Sequence, residues 1–170
     1  MKIYLATDHA GLELKEAIKS FLQEKGYEIV DCGAYSFDKN DDYPDFISKA
    51  ADNVAKDLSA KGIIFGGSGQ GEAIVANKFP GIRCGVFYGP RLPLGDADAT
   101  GRSNDDPYEL LRLNREHNDA NMLSLAARFL SVEEAKKAVD VWLHTPFSND
   151  ERHVRRIEKI AKIEQTNASK

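Results

Sequence analysis

The stretch from Gly62 to Lys78, G-I-I-F-G-G-S-G-Q-G-E-A-I-V-A-N-K, leaves a chain few ways to fold. Gly62 to Phe65 is a short apolar run rich in Ile, the pattern of a strand buried on both faces of a parallel sheet. It runs directly into a glycine cluster, and Glu72 to Lys78 then reads as the first turns of a helix. Strand, glycine turn and helix N-terminus make one βα unit, and its junction falls at the carboxyl edge of the sheet, where open α/β folds bind ligands. Backbone N–H groups at Gly67, Gly69 and Gly71 suit an anion there.

The spacing weakens three common anion-site readings. A Walker loop needs Lys after the last Gly, where Glu72 stands; G-x-G-x-x-G from Gly67 fails at the same residue. A G-x-S-x-G elbow around Ser68 fails at Gln70. What is left is a carboxylate at a helix N-terminus inside an anion pocket, expected to be held ionised by the helix dipole and able to take a proton from a carbon acid. Taken alone, Glu72 reads more simply as a favourable first-turn residue.

The flanking chain repeats the unit. Ile3–Thr7 reads as a strand, Asp8-His9-Ala10-Gly11 as a turn, and Leu12, Lys15, Ile18, Lys19 and Leu22 as a helix that stops at Gly26. Singly, Asp8 suits a helix cap and His9 an exposed turn, but both fall at the same edge as the glycine cluster. Tyr27–Cys32 is a second strand. Asp38, Asp41, Asp42 and Asp45 follow it without calcium-loop spacing, so no metal is read there, and Pro44 starts a helix running to about Ala60. Arg83–Tyr88 is a fourth strand, Tyr108–Asn118 a helix, Asn121–Ala126 a fifth strand and Val132–Leu143 an amphipathic helix. Gly89 to Pro107 breaks the rhythm with three prolines and three glycines, too long for an ordinary link. Beyond Asn149 the chain is a charged helical arm, with Arg152 and Arg156 on one face and Arg155 beside them, suited to solvent or to a phosphate clamp.

The expected fold is therefore α/β, a three-layer αβα, Rossmann-like, doubly wound five-stranded parallel sheet of order 2-1-3-4-5 or its reverse. The switch point then lies between the first and third strands, beside Asp8 and Gly67. A length of 170 residues fits one domain over 1–170, with the inserted loop at about 89–108 and the arm at about 149–166. A net charge of −4 with interspersed signs gives no basic stripe for nucleic acid. No segment reads as a signal peptide or membrane span, and two distant cysteines indicate neither disulfides nor zinc, which points to the cytoplasm.

Together the pieces resemble the type B ribose-5-phosphate isomerase family, which includes galactose-6-phosphate isomerase subunits. The matching segments are Thr7-Asp8-His9-Ala10-Gly11, Asp31-Cys32-Gly33, Asp42-Tyr43-Pro44, Gly66 through Glu72 with Ala76-Asn77-Lys78, Arg115 through Asn121, and Arg152-His153. They stand in family order and span nearly everything but the long loop. That family places its base either on a Cys before the glycine turn or on a Glu after it; Gly66 and Glu72 put this chain in the Glu branch.

The resemblance implies that Glu72 moves a proton between C1 and C2 and that His117 assists ring opening. It implies that Asp8 and His9 hold the sugar. Gly67, Ser68, Gly69, Gln70 and Gly71 with Asn118 would hold the enediolate, and Arg128, Arg152 and Arg156 the phosphate. No cofactor or metal is called for. A site between subunits is implied, hence a homodimer or a dimer of dimers. Such chemistry needs one base, N–H donors, a ring-opening acid/base and a phosphate anchor. The substrate expected is ribose 5-phosphate in exchange with ribulose 5-phosphate. Allose or galactose 6-phosphate is the alternative, with the insertion before His117 shaping the sugar end, and a non-catalytic sugar-phosphate binder is the alternative of another class. A flavodoxin-like nucleotide switch lacks any phosphate lysine or flavin-stacking aromatic here.

Overall fold

The computed structural model of the chain describes residues 1–98, 101–102 and 105–168. Residues 99–100 and 103–104, within the expected insertion, lie outside the described residues. Five parallel strands, β1 (Lys2–Thr7), β2 (Glu28–Asp31), β3 (Lys61–Gly66), β4 (Cys84–Phe87) and β5 (Met122–Ala126), form one sheet. Among the described residues six helices accompany them: α1 (Leu12–Glu24), α2 (Pro44–Lys56), α3 (Gln70–Ala76), α4 (Glu109–Asn118), α5 (Val132–His144) and α6 (Glu151–Ala168).

Alternation along the strands sorts the core into two layers. Ile3, Leu5, Ile63, Phe65, Leu123 and Leu125 pack with Leu14, Ile18 and Leu22 of α1, Leu111 of α4, and Val139 and Trp142 of α5. Tyr4, Ala6, Ile64 and Met122 pack on the other face against Ile47, Ala50, Ala51 and Val54 of α2 and Ala76 of α3. The three-layer αβα architecture is thus the one the sequence pattern dictates.

The strand order is β2-β1-β3-β5-β4, which corrects the expected 2-1-3-4-5. Every residue of β5 is buried, whereas only Phe87 of β4 is. The fully buried strand takes the interior position and the half-exposed one the edge. Because β1 and β3 remain neighbours, the switch point stays between them.

A second correction concerns α2, which ends at Lys56 rather than near Ala60. Asp57 takes extended backbone, and its Oδ1 accepts from Ser59 N at 3.0 Å and Ser59 Oγ at 2.7 Å, a local turn that outcompetes the helix. Lys15, on the apolar face of α1, is wholly buried; its Nζ donates to both Asp31 oxygens at 2.7 and 2.8 Å and to the Ala34 carbonyl at 2.7 Å. That cation fixes the end of β2 and the start of the loop leading to α2. Among the described residues no helix is long and apolar enough to cross a membrane.

Candidate active site

The carboxyl ends of β1, β3 and β5 meet at one edge. Thr7 Oγ1 donates to the Phe65 carbonyl at 2.9 Å, locking the end of β1 to β3. Gly11 lets that junction close, since a Cβ there would meet Thr7 Oγ1 at 2.5 Å and Phe65 Cβ at 2.6 Å. Across the other side of β3, Ala127 N donates to the Gly66 carbonyl at 2.8 Å and Arg128 N to Gly67 at 3.1 Å. The glycine turn is therefore flanked by Asp8-His9 and by Arg128.

The turn itself is held by its neighbours. Gly69 has φ +74, the left-handed region that favours glycine, and its carbonyl accepts from the buried Ser124 Oγ at 2.7 Å. Gly71 lies against the Tyr43 ring, and Gly67 against the Arg128 guanidinium, 3.3 Å from where a Cβ would stand. Ser68 is half-buried and Gln70 exposed.

Glu72 is buried, and its carboxylate occupies the space beside Gly66: a Cβ at residue 66 would fall within 1.9 Å of Glu72 Oε1. A side chain at 66 would therefore displace the Glu72 carboxylate from its present place. The pull of the helix dipole toward the ionised form does not act alone on Glu72. α3 has only seven residues, and burial first, with the Asp8 charge added, pushes the Glu72 carboxyl up against the opposing pull of its own backbone N–H. A carboxylate raised toward neutrality is a better proton acceptor for a weak carbon acid.

Asp8 is buried and caps the 3₁₀ turn His9–Gly11, accepting from Ala10 N at 2.9 Å. His9 Nδ1 lies 2.6 Å from Asp41 Oδ1, a partner that sequence reading set aside with its acidic neighbours. The Asp41 hydrogen bond raises the His9 pKa, opposed by burial and assisted by Asp8. Ligand atoms of Asp8, His9 and Asp41 lie within 4.8 Å of one another. The 2.6 Å contact is that of a shared proton, because two ligands on one ion at about 2.1 Å each stand farther apart than that. A cavity of about 650 Å³ opens beside His9, Phe37 and Arg128.

The other expected residues stand elsewhere. α4 returns from the carboxyl edge to the amino edge, so its last turn, with His117 and Asn118, lies beside the starts of the strands. Arg83 Nε, just before β4, donates to the Asn118 carbonyl at 2.7 Å, and Gly62 N at the start of β3 to the Asn121 carbonyl at 2.9 Å. From the Gly62–Met122 pairing to the Gly66–Ala126 pairing is four residues, about 13 Å of sheet. His117 stacks on His153 of α6 with centroids 4.1 Å apart. Burial, then the neighbouring His153 and Arg152, hold the His117 pKa below its usual value, which favours the neutral ring. Ser148 Oγ ties this corner together, donating to the Glu116 carbonyl at 2.7 Å and lying 2.9 Å from His153 Nδ1. Arg152 is half-exposed, 3.5 Å from Asp150, and Asn118 and Arg156 are exposed.

One chain thus brings together Asp8, His9, Gly67–Gly71, Glu72 and Arg128, and gathers His117, Asn118 and Arg152 apart from them, with Arg156 one turn further along α6. Both cysteines are free thiols outside the glycine turn, each pushed up by burial. The long loop lies along α4: Arg102 bridges Glu109, Glu116 and Asp98, and Arg112 pairs with Asp106 at 2.6 Å.

Comparison with known proteins adds three findings. The profile of the family described as Ribose/Galactose Isomerase matches residues 3–93 and 107–160, leaving out 94–106. Ribose-5-phosphate isomerase B of Mycolicibacterium paratuberculosis is 40% identical over 166 residues, 98% of this chain and 93% of that one. Two solved structures match at TM-score 0.83. Ribose-5-phosphate isomerase B of Clostridium thermocellum is 38% identical, with 98% of this chain and 99% of that chain covered. The Mycoplasma genitalium enzyme with bound ribulose-5-phosphate is 36% identical, with 96% of each covered.

Proposed function

The chain belongs to the ribose/galactose isomerase family, and from that membership we propose that it interconverts ribose 5-phosphate and ribulose 5-phosphate through an enediolate. The observation that carries this reading is the buried Glu72 carboxylate at the switch point, beside Asp8 and against a turn of N–H donors. Glu72 takes the proton from C2 of the open aldose and returns it to C1. The oxygen that gains charge is stabilised by the Gly67–Gly71 turn with Asn118, where oriented donors need no reorganisation. Asp8 and His9 hold sugar hydroxyls. The neutral His117 ring is suited to passing the ring-opening proton, and Arg128, Arg152 and Arg156 hold the phosphate.

The separation of the two groups by the height of the sheet supports a site completed by a second copy of the chain. His117, Asn118, Arg152 and Arg156 of one copy would then face Glu72 of the other, in a homodimer with two equivalent sites. A cytoplasmic location is part of the proposal, supported by the two free thiols. A hexose 6-phosphate is the second reading, favoured by the segment 94–106 that the family profile does not match, whose Arg102 pairs with Glu116 beside His117.

The test is conversion of ribose 5-phosphate by the purified protein in deuterated water, with deuterium entering at C2 of the aldose on return from the ketose. Absence of exchange with any aldose phosphate removes the reaction. Mixing inactive Glu72→Gln and His117→Ala proteins, with subunit exchange, should then regain about a quarter of wild-type turnover, because random pairing leaves one intact site in each mixed dimer. No regain places both groups on one chain's site.

A further inference from the structure

Asp41 belongs to a run of acidic residues that the reaction outlined above leaves without a task. It sits on the loop between β2 and α2, anchored at one end by Lys15 and at the other by the start of α2 at Pro44. Its side chain is only 10% exposed. Oδ1 accepts from His9 N at 3.0 Å and faces His9 Nδ1 at 2.6 Å, so one oxygen holds both the main chain and the ring of the same residue. Oδ2 is buried and has no hydrogen-bond partner among the described residues. A buried carboxylate with one oxygen unpaired depends on the cation opposite the other. Phe37, from the same loop, meets the His9 ring edge to face, with centroids 5.9 Å apart and planes at 81°. Ring and carboxylate are therefore fixed in position and in rotation, while His9 still borders the cavity beside Arg128.

We propose that Asp41 is a positioning residue of the sugar-phosphate site: it grips His9 by Nδ1 so that Nε2–H is presented to the substrate as a donor. The inference rests on the isomerase reading only for the identity of that substrate. In a neutral ring with Nδ1–H bound to Asp41, Nε2 would be an acceptor; as a donor it must be imidazolium. Three charged groups face the ring. Asp41 from the loop and Asp8 from the end of β1 favour the charged form, and Arg128 beyond β5 disfavours it, with the short Asp41 bond prevailing. The arrangement makes His9 a fixed donor and leaves proton removal to Glu72.

The experiment compares full-length wild type with Asp41→Asn and Asp41→Glu by nitrogen-15 imidazole NMR and by steady-state kinetics. In wild type, His9 should titrate above an ordinary histidine; Asp41→Asn, which keeps size and an acceptor oxygen, should lower that midpoint. KM for ribose 5-phosphate should rise about tenfold, with a smaller change in kcat, and the rise should grow with pH above the lowered midpoint. Asp41→Glu should restore part of both. Equal His9 midpoints in wild type and Asp41→Asn overturn the grip, and so does an unchanged KM in a protein whose midpoint has moved. If wild type converts no sugar phosphate while the midpoint still falls, the pairing stands and the substrate reading is what fails.

Discussion

The two edges of the sheet hold their candidate functional groups by different means. At the carboxyl edge the main chain positions them: the glycine turn is pinned by Ser124 and packed on Tyr43, and Glu72 follows within one turn of it. At the amino edge side chains on α4 and α6 position one another, His117 on His153, with Arg152 and Arg156 reaching from a helix that is mostly solvent-exposed. Rigid backbone suits the group that must meet a carbon atom within a fraction of an ångström. Long arginines, one half-exposed and one exposed, suit the dianion proposed for them, which needs charge more than exact placement. The proposed division of labour is that the carboxyl edge sets kcat, and the amino edge sets KM and the choice of sugar.

The largest effect should come from Glu72→Gln. The amide keeps size but cannot accept the proton, so turnover should drop at least ~100-fold while ligand affinity stays near wild type. Cys32→Ala and Cys84→Ala should stay active in the same assay, and a dead but folded cysteine variant would move the base. Since the Glu72 carboxyl is raised, kcat should fall on acidification at a pH above the ordinary Glu range. The linkage sign follows. A carboxyl raised in the folded state costs stability where it is ionised, and that cost vanishes below the unfolded pKa. Glu72→Gln should thus melt no lower than wild type at neutral pH, and any advantage should shrink in acid; the opposite trend would mean that Glu72 is held as an anion.

Arg152→Ala comes next. It should raise KM and weaken inhibition by inorganic phosphate about tenfold to a hundredfold, as for a charge-assisted contact, with kcat much less affected. A normal KM with depressed kcat would erase the contrast between the edges.

The smallest effect should follow replacement of residues 94–106 by a brief linker. Glu109→Gln in the same protein avoids leaving that buried carboxylate short of Arg102. The fold should persist, and the ratio of kcat/KM for pentose over hexose phosphate should move by roughly threefold to tenfold. A fixed ratio would assign the insertion some other task, such as contact between subunits.

How much of this could be read in the sequence depended on whether a residue's position follows from its own strand. Asp8, His9 and Gly67–Glu72 come directly after β1 and β3, so their shared edge was legible from periodicity alone. The exchange of β4 and β5 was not, because pairing order depends on the relative burial of whole strands. His117 and Asn118 entered only through family resemblance. The crossover rule that sends α4 back to the amino edge was available, but a motif gives residue types and not the edge they reach. Asp41 was hidden for another reason: its partner His9 is 32 residues away, and the acidic run around it masks a single buried member.

Gly66 restricts how a protein of this kind can change. The space beside it admits either a carboxylate reaching back from 72 or a side chain rising from 66. Gly66→Cys alone would push the Glu72 carboxylate out of that volume, and loss of Glu72 alone would leave it without the proposed base. On the proposed mechanism, a carboxylate enzyme and a thiolate enzyme of this fold therefore differ at two coupled positions rather than one.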